Sequence, residues 1–511
     1  MTSIARRLAE VWVDASSLRE ACKMAGSKTN DHRNMLKLRR KAEELTGVKL
    51  HPHNDKHSTH NEIACPTALD VSKARKCKDF VITSCTNDSP LVKPFIEALK
   101  LFIESRNGQL LIVPVRYQNR DAMHDVDGYN WDSDIYPYAL TEDMSLGRNM
   151  VISSHRMRAT TVNPLSGKQA LSGAKSAIYG HPQMALELVG TPKDELPKVM
   201  MTTGSCNKAQ YSSSDAGGRA EFYHTIAAVY VKKVGAVVHY TQIGWDGLGF
   251  YFLNEYWSDV GLISQDARSS IAHGDIHTWY EIPAVTKSKL RLKKRLNPIS
   301  QYFHDLHDGH IGSHHSTIRE RVEQALNGDV SVEKEIRMSI DYIERLGAGT
   351  NNYIVGSNHN DHLDQWWASY NPQKDPYNMK FHGWLSSVLI GSNKCALHAC
   401  FDEWGCNAHY EFISRNKRHP EAGIDMSQHS DKGVNGSRGS IRGFAMTMLK
   451  TVIGHGHSKG INKGSWQMGT STDKMTYANG YSTWTLTDCI VYPNGKRALI
   501  DHINGKSIAD Y

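Results

Sequence analysis

The sequence contains no run of about 18 consecutive apolar residues, so no membrane-spanning helix is predicted. Its first residues, MTSIARRLAEVWVDASSLREACK, mix acids and bases and lack the apolar stretch of a signal peptide. The nine cysteines are odd in number and scattered over 511 residues, which argues against a disulfide framework and favours a reducing compartment. We therefore expect a cytoplasmic protein without membrane contacts.

An excess of charge of either sign is also missing. The sequence has 60 basic and 53 acidic residues and a formal net charge of +7, which permits nucleic-acid binding without requiring it. Hydrophobic residues make up 40% and charged residues 22%, as in ordinary globular proteins. The length predicts two or three domains. Histidine is abundant, with 27 residues concentrated in the second half, and histidine is a frequent metal ligand and proton carrier.

Residues 1–60 are predicted to be a small helical region. The segments LREACKMAG and RNMLKLRRKAEELTG read as helices that end at glycine, and together they have the outline of a helix-turn-helix. A helical oligomerisation or docking piece with a solvated basic face remains the alternative. The polar segment HPHNDKHSTHNE at 51–62 is predicted to be a linker.

Residues 75–258 are predicted to be an α/β accessory domain used for binding or oligomerisation. KDFVITSCTND and QLLIVPVRY read as buried strands, and the amphipathic helix PLVKPFIEALKLFIESRNG between them completes a βαβ unit. Ser84, Cys85 and Asp88 end the first strand, where a structural turn is favoured over a site. No complete catalytic constellation is apparent in this region, and no internal repeat is apparent in the chain.

The last part of the chain, residues 262–511, repeats one design in five segments, a short apolar run followed by ligand-type side chains. Asp, Asn and His together suit a pair of divalent ions without requiring thiolates, and two such ions can bind both oxygens of a phosphoryl displacement. The segments are AHGDIHTW with Asp275 and His277, QYFHDLHDGH with Asp305 and Asp308, YIVGSNHND with Asn358 and His359, IDMSQHSDKG with His429, and TVIGHGHSKG with His455 and His457.

In their order and spacing these segments resemble the calcineurin-like metallophosphoesterases, over about half of the chain. The resemblance implies a β-sandwich flanked by helices, within an α/β fold class, and two divalent ions, Mn²⁺ foremost, with Mg²⁺, Zn²⁺ or Fe²⁺ as alternatives. It implies a set of ligands for each ion: Asp275, His277 and His457 for one, and Asn358, His429 and His455 for the other. It also implies that Asp305 bridges the two ions and helps hold the nucleophilic hydroxide.

The same resemblance implies that His359 is a histidine that binds no metal and either protonates the leaving oxygen or steadies the transition state. Two positions depart from the family pattern. His304 stands where the family has glycine, and the acid that usually follows the histidine is displaced by one position to Asp361. We expect Asp361 to orient His359 from there. His382, His398 and His409 are alternatives to His429.

The segment TKSKLRLKKRLNP lies between the first two motifs and contains no acid, so it could bind several DNA phosphates. A solvated basic loop without a binding role is the alternative. The residues concerned are Lys287, Lys289, Arg291, Lys293, Lys294 and Arg295. Together with the basic N-terminal helix it favours a nucleic-acid substrate. In architecture the second half is then similar to the SbcD-type nucleases, manganese-dependent enzymes that cut DNA. The whole arrangement also resembles the early-transferred DNase of tailed siphophages, which would imply host-DNA degradation in the bacterial cytoplasm and allows a homo-oligomer.

Two other functions stay open from the sequence. A phosphomonoesterase or nucleotide hydrolase would use the same fold, and a non-enzymatic DNA-binding or assembly protein would use it as a scaffold. The segment CALHACFDEWGCNAH offers Cys395, Cys400, Cys406 and two histidines as zinc ligands, but free thiols in a buried hairpin are favoured. Trp366 and Trp367 are expected in the core rather than stacked on a base.

Overall fold

The computed structural model describes residues 2–11, 18–28, 32–46, 50, 69–117, 131–312, 318–475 and 480–511. The predicted linker at 51–62 lies outside these residues. Within them, no helix combines the length and apolar character needed to cross a membrane. The helices are α1 Thr2–Glu10, α2 Leu18–Met24, α3 His32–Thr46, α4 Val71–Ala74, α5 Lys93–Glu104, α6 Asp215–Tyr223, α7 Pro283–Leu296, α8 Ile318–Asn327, α9 Val332–Gly347, α10 Asn358–Ala368, α11 Met379–Leu389, α12 Ala396–Trp404 and α13 Ile441–Met446.

Helices α1, α2 and α3 pack around a small apolar core of their own, which includes Leu8, Ala21, Met35 and Leu38. The apolar residues of α3 recur at helical spacing and face this core, while basic residues such as Arg40 stay exposed. Helical structure at the start of the chain thus agrees with the sequence. The DNA-binding use of these helices remains a prediction.

The segment from residue 79 to 244 is built mainly from strands. Its first strand, with the sequence DFVITSCT, is buried at every position because it lies between two other strands and beneath helix α5. The strands are β1 Asp79–Thr86, β2 Gln109–Val115, β3 Met144–Leu146, β4 Met150–Ser153, β5 Ser176–Tyr179, β6 Ala185–Val189, β7 Thr191–Pro192, β8 Lys198–Thr202, β9 Ala227–Val234 and β10 Val237–Gly244.

A three-stranded sheet then leads into the second half of the chain. Its strands are β11 Phe250–Phe252, β12 Glu255–Ser258 and β13 Gly261–Ser264. The remaining strands are β14 Ser270–His273, β15 Ser300–Phe303, β16 Asn351–Val355, β17 Tyr410–Ile413, β18 Pro420–Glu421, β19 Ile424–Asp425, β20 Thr451–Ile453, β21 Gly460–Asn462, β22 Ser465–Gln467, β23 Tyr481–Ser482, β24 Thr487–Val491 and β25 Arg497–Asp501.

Two large sheets position the second half. A six-stranded sheet has the order β17-β16-β15-β14-β24-β25, and its first four strands are parallel. A ten-stranded sheet has the order β18-β19-β20-β22-β21-β6-β8-β5-β4-β3. One apolar cluster joins both sheets to the four-stranded sheet β10-β9-β1-β2, through residues such as Ala272, Val452, Met201 and Val229. The molecule is therefore a mixed α/β protein in which sheets share a core.

Both halves of the chain repeat the same strand topology. Strand β1 pairs parallel with β2 and antiparallel with β9, which pairs antiparallel with β10, and β14 has the same relations with β15, β24 and β25. In the ten-stranded sheet, the series β3-β4-β5-β8-β6 matches β18-β19-β20-β22-β21. The structure thus corrects the expectation that the chain lacks an internal repeat.

The two copies meet about a local two-fold axis. Strands β6 and β21 pair antiparallel with Leu186 opposite Ile461, and these two residues hold equivalent positions in their copies. Strand β10 lies beside β25, where the Leu499 amide donates to the Gln242 side chain over 2.9 Å. Strands from both sides of residue 260 therefore belong to one sheet, although the side chains change in character there. The division into residues 1–60, 75–258 and 262–511 remains a prediction.

Candidate metal centre

The histidine- and aspartate-rich segments of the second half meet at one edge of the two sheets. Asp275 and His277 follow β14, Asp305 follows β15, and His455 and His457 follow β20. Four of these residues have positive φ angles: 49° at His277, 41° at Asp305, 65° at His455 and 53° at His457. Such angles are costly for residues with a Cβ and cluster at functional sites. The chain thus bends sharply at each point where it presents a ligand-type side chain.

Two groups of potential ligand atoms share Asp305. One consists of Asp275, His277, Asp305 and His457, and the other of Asp305, His429 and His455, with the atoms of each group within 4.8 Å of one another. The structure therefore brings together six of the residues that the sequence assigned to two ions. Two further groups overlap with these, Asp275 with His304 and His429, and His277 with Asp308 and His359. The Asp305 carboxylate belongs to both of the first two groups.

The hydrogen-bonding state of these side chains fits cations. His457 Nε2 lies 3.2 Å from Asp275 Oδ2, and His429 Nε2 lies 3.0 Å from Asp305 Oδ2. Despite these short distances, no described residue makes a well-oriented hydrogen bond to either carboxylate oxygen of Asp275 or of Asp305, and all four of these oxygens are buried. Asn358 Oδ1 is also buried without a partner. Because buried polar atoms normally have partners, this set of oxygens and imidazoles fits metal ions.

The electrostatics of the centre favour positive charge. Burial by itself would lower the pKa of His429, but Asp305 and Asp275 raise that pKa to about 9. Burial would raise the pKa of Asp305, yet His429 and other nearby imidazoles bring it well below its usual range. The pKa of His277 is lowered, chiefly by burial. The raised pKa of His429 thus reflects the attraction of the two carboxylates for positive charge, and a cation that binds there would displace this proton, because imidazole coordinates in its neutral form.

Two glycines of the segment TVIGHGHSKG are required by close packing. A Cβ at Gly454 would lie 2.4 Å from Asp275 Oδ1 and 3.1 Å from His429 Nδ1. A Cβ at Gly456 would lie 2.1 Å from the Gln467 side-chain nitrogen. The G-H-G-H spacing therefore lets the backbone approach the carboxylate while the two histidines point toward the ligand groups.

His359 lies beside the centre, with its ring centroid 4.5 Å from that of His277. Its Nδ1 is 2.7 Å from the carbonyl oxygen of Asp308, which makes Nδ1 the protonated donor and leaves Nε2 facing away from this bond. Burial alone would lower the pKa of His359, but Asp305 and Asp308 raise it above its usual value. The position suits proton transfer at the site.

The expected role of Asp361 is wrong in the structure. Residues from Asn358 onward form helix α10, whose N-cap Ser357 accepts a hydrogen bond from the Asn360 amide. Positions two apart lie on different helix faces, so Asp361 points away from His359 and pairs with Arg415. His359 is oriented by Asp308 instead.

Asp308 and His304 also lie near the centre, although no role was predicted for either of them. Asp308 Oδ1 is 2.8 Å from His277 Nδ1, so it fixes the imidazole with Nε2 toward the ligand group. His304 is fully buried, with Nδ1 3.4 Å from His429 Nδ1, and burial lowers its pKa to about 3. The sequence motif QYFHDLHDGH already singled out Asp308, but its contact with His277 became apparent only in the structure.

The histidine alternatives separate clearly. His382 stacks on Tyr370 with centroids 4.1 Å apart, and His398 stacks on Phe412 at 4.4 Å. His409 is exposed, whereas His429 is fully buried within both its ligand group and a second group with Asp275 and His304. His429 is thus the one of the four that the structure brings to the centre.

A buried polar network holds the end of strand β14, which Asp275 follows. His273 Nδ1 and His502 Nε2 each lie 3.0 Å from Asp488 Oδ2, and the amide of Gly274 donates to Asp488 Oδ1 at 3.0 Å. Lys289 pairs with the same carboxylate and is fully buried. The prediction that Lys289 binds DNA is therefore wrong, because its ammonium group is enclosed and already paired.

The remaining residues of the basic segment lie on helix α7 rather than on a loop. Lys293 donates to the carbonyl of Ala348, which precedes β16 and lies at the sheet edge opposite the metal ligands. Arg291 pairs with Asp510, and Arg295 Nη2 lies 3.3 Å from Glu255 Oε1. Lys287 and Lys294 are exposed. The expectation of a basic loop beside the centre is thus corrected to a helix that runs away from it.

The other two sequence features have structural roles. Trp366 is buried and stacks on Phe381, and the Trp367 indole donates to Ser386 over 2.9 Å, so both tryptophans belong to helix packing. Cys400 is buried in helix α12, where a hairpin was expected. Within the described part of the chain, no cysteine belongs to a group of potential metal ligands.

Comparison with known proteins gives one informative similarity. Over 475 residues the chain is 27% identical to "Protein A1" of Escherichia phage T5, with 87% of this chain and 85% of that protein covered. No family model matches the chain. No solved structure matches it either. The chain therefore has a phage-encoded homologue of similar length, whose name states no activity.

Proposed function

We propose that this protein is a two-metal-ion phosphodiesterase that hydrolyses the DNA backbone. The observation that carries the proposal is the shared Asp305, which joins two groups of buried ligand atoms with no well-oriented hydrogen bond to its own oxygens. A paired arrangement of this kind is what in-line phosphoryl displacement uses. The calcineurin-like architecture and the nuclease branch are part of this proposal.

Each side chain has a defined task in the proposed site. Asp275, His277 and His457 would hold one divalent ion, and His429, His455 and Asn358 the other, with Asp305 between them. When bound, two such ions, Mn²⁺ by resemblance, stabilise the charges on the attacking and leaving oxygens. The hard oxygen and imidazole donors also suit Mg²⁺, Fe²⁺ or Zn²⁺.

His359 would act as the proton donor. Because the Asp308 carbonyl engages its Nδ1 at 2.7 Å, the ring is fixed and Nε2 is the nitrogen available to protonate the leaving oxygen. Asp308 also fixes His277 through its carboxylate at 2.8 Å. Asp308 would thereby orient both a metal ligand and the acid.

DNA is the proposed substrate class. It is supported by the resemblance of the motifs to nucleases, by the exposed basic face of helix α3, and by a homologue encoded by a phage. In a phage setting the enzyme would degrade host DNA in the bacterial cytoplasm, and the N-terminal helices would serve DNA binding or assembly into a homo-oligomer. The phosphomonoesterase and the scaffold remain as alternatives that the experiment must separate.

The test is cleavage of circular and linear double-stranded DNA by the purified chain with Mn²⁺, alongside hydrolysis of a phosphodiester and a phosphomonoester of p-nitrophenol. EDTA, Asp305→Asn and His359→Ala should each abolish or strongly reduce cleavage. His409→Ala is the matched control, because His409 is exposed and lies outside the ligand groups.

The outcomes separate the three functions. Metal-dependent DNA cleavage that both site variants lose and His409→Ala keeps supports the nuclease. If the small esters are hydrolysed while DNA stays intact, the catalytic metal centre is supported and DNA is refuted as the substrate. DNA binding without hydrolysis of any ester, with any of the four metals, leaves the scaffold and overturns the proposal.

A further inference from the structure

The two copies of the strand topology carry different chemistry at equivalent edges. The Ser205 hydroxyl donates to the Ser84 carbonyl as the Thr470 hydroxyl donates to the Asp275 carbonyl, which makes Ser84 the counterpart of Asp275. A Cβ at Gly180 would meet the Ser84 side chain, just as one at Gly454 would meet Asp275. The first copy therefore has a hydroxyl where the second has a metal-binding carboxylate.

At the positions that match the metal ligands, the first copy has imidazoles but no carboxylates. By strand register, His181 after β5 matches His455 after β20, and His155 after β4 matches His429 after β19. A Cβ at Gly180 would also meet Val113, as one at Gly454 would meet His304, so Val113 corresponds to His304 and the next residue, Pro114, to the bridging Asp305. Without these carboxylates, this edge cannot hold a pair of divalent ions as the second copy does.

A large cavity opens at this metal-free edge, between the first copy and the opposite edge of the second. Its volume is about 900 Å³, and its walls on the first copy include Gln183, Lys208 and His224. On the second copy they include Lys450, before β20, and the turns that carry Lys463 and Lys496. We call the space lined by these four lysines the basic cavity.

The charge of the basic cavity is not balanced by its walls. None of the four lysines forms an ion pair with a carboxylate of the described residues. Asp246 is the one acid among the described lining residues. Its carboxylate already accepts hydrogen bonds from the backbone amides of Leu248 and Gly249 and from the side chains of Tyr256 and Asn494. Burial and then the charge of Lys450 lower the pKa of Lys496, as expected where positive charges crowd together.

Aromatic rings lie beside the lysines. Phe222 is 67% exposed, although it is a large apolar residue on a short helix. Tyr223 contacts Phe222 edge to face, with centroids 4.9 Å apart, and Lys463 Nζ lies 4.8 Å from the Tyr223 centroid. Lysines interleaved with accessible rings are the arrangement that binds single-stranded nucleic acid, through its phosphates and its bases.

We propose that the basic cavity is a second, metal-free binding site for a single-stranded segment of nucleic acid. The lysines contact the phosphates and Phe222 and Tyr223 stack on bases. The inference rests on the proposed function for the choice of a nucleic-acid ligand. In this arrangement both copies bind phosphate, the second through carboxylate-held ions and the first through ammonium groups.

The test measures the fluorescence anisotropy of a labelled oligothymidylate of about 12 nucleotides with the full chain in EDTA, where no cleavage occurs. Lys463→Gln/Lys496→Gln should weaken binding about tenfold and reduce the slope of log affinity against log salt by about 1.4. Phe222→Ala should weaken binding about fivefold or more. Because Phe222 is exposed, this variant tests the site without disturbing the core.

The control is Lys374→Gln/Lys380→Gln, since both lysines are exposed and neither pairs with a carboxylate of the described residues. Its binding should equal that of the unmodified chain. Equal binding by the cavity variants would overturn the proposal. So would competition by thymidine monophosphate that matches the unlabelled oligomer per phosphate, because the cavity would then hold a mononucleotide.

Failure of the proposed function gives a different pattern. If the chain hydrolyses no phosphoester with Mn²⁺ but the oligomer still binds through Lys463, Lys496 and Phe222, the nuclease is refuted and the basic cavity stands. If the chain cleaves DNA while the cavity variants bind the oligomer normally, the nuclease stands and the basic cavity is refuted.

Discussion

Replacing Gly454 by alanine should damage the metal centre without removing any ligand. The new Cβ would lie 2.4 Å from Asp275 Oδ1 and 3.2 Å from His304 Nδ1. Since an ordinary contact needs about 3.4 Å, the Asp275 carboxylate must move by about 1 Å. Misplacement on this scale can reduce a rate by about a hundredfold, or about 2.7 kcal/mol in transition-state free energy.

The assay is kcat/KM for a p-nitrophenyl phosphodiester with Mn²⁺, together with the Mn²⁺ dissociation constant from calorimetry. We expect Gly454→Ala to reduce kcat/KM by about a hundredfold and to weaken Mn²⁺ binding. Gly383→Ala is the control, because Gly383 lies in helix α11 with no atom within 4 Å of an added Cβ. The reasoning is refuted if Gly454→Ala keeps both values within about threefold of the unmodified chain.

Three further predictions concern groups around the centre and in the first copy. Asp308→Asn should weaken Mn²⁺ binding or activity about 10- to 100-fold, since His277 loses its orienting carboxylate; unchanged calorimetry would contradict this. Lys289→Met should lower the free energy of unfolding by about 3–5 kcal/mol in urea titrations, because Asp488 stays buried without its ammonium partner; a loss confined to DNA binding would contradict it. Burial lowers the pKa of His181 from 6.5 to about 4, so unfolding takes up a proton between these pH values. His181 should contribute a loss of stability of up to about 3 kcal/mol as pH drops through this window. His181→Gln should therefore make the fall in the free energy of unfolding shallower by about this amount, and an unchanged pH dependence would contradict the reasoning.

The ligand residues could be predicted because they follow strand ends. The carboxyl ends of parallel strands meet at one edge, so side chains distant in sequence, such as Asp275 and Asp305, come together once the strands are recognised. The same rule does not extend into helices. Asp361 was placed beside His359 as if the chain were extended there, and the helical turn directs it elsewhere.

The burial of Lys289 could have been predicted from helical spacing, but the many basic residues of the segment made that spacing hard to recognise. Val285, Lys289, Leu292 and Leu296 follow helical spacing, and all four are buried on one face of α7. A lysine in an apolar stripe at this spacing predicts an internal partner, here Asp488. The duplicated topology had no comparable pattern, because equivalent residues such as Ser84 and Asp275 differ and the repeated strands are short.

The pairing of β6 with β21 also determines what a shortened chain can do. A fragment that begins near residue 262 would lose β6, leaving the backbone groups of Gly460–Asn462 on an open sheet edge. It would also lose Gln242, the acceptor for the Leu499 amide. Open edges invite pairing between molecules. Isolated second halves should therefore associate or aggregate, because in the full chain strand β6 of the first copy covers this edge of the second.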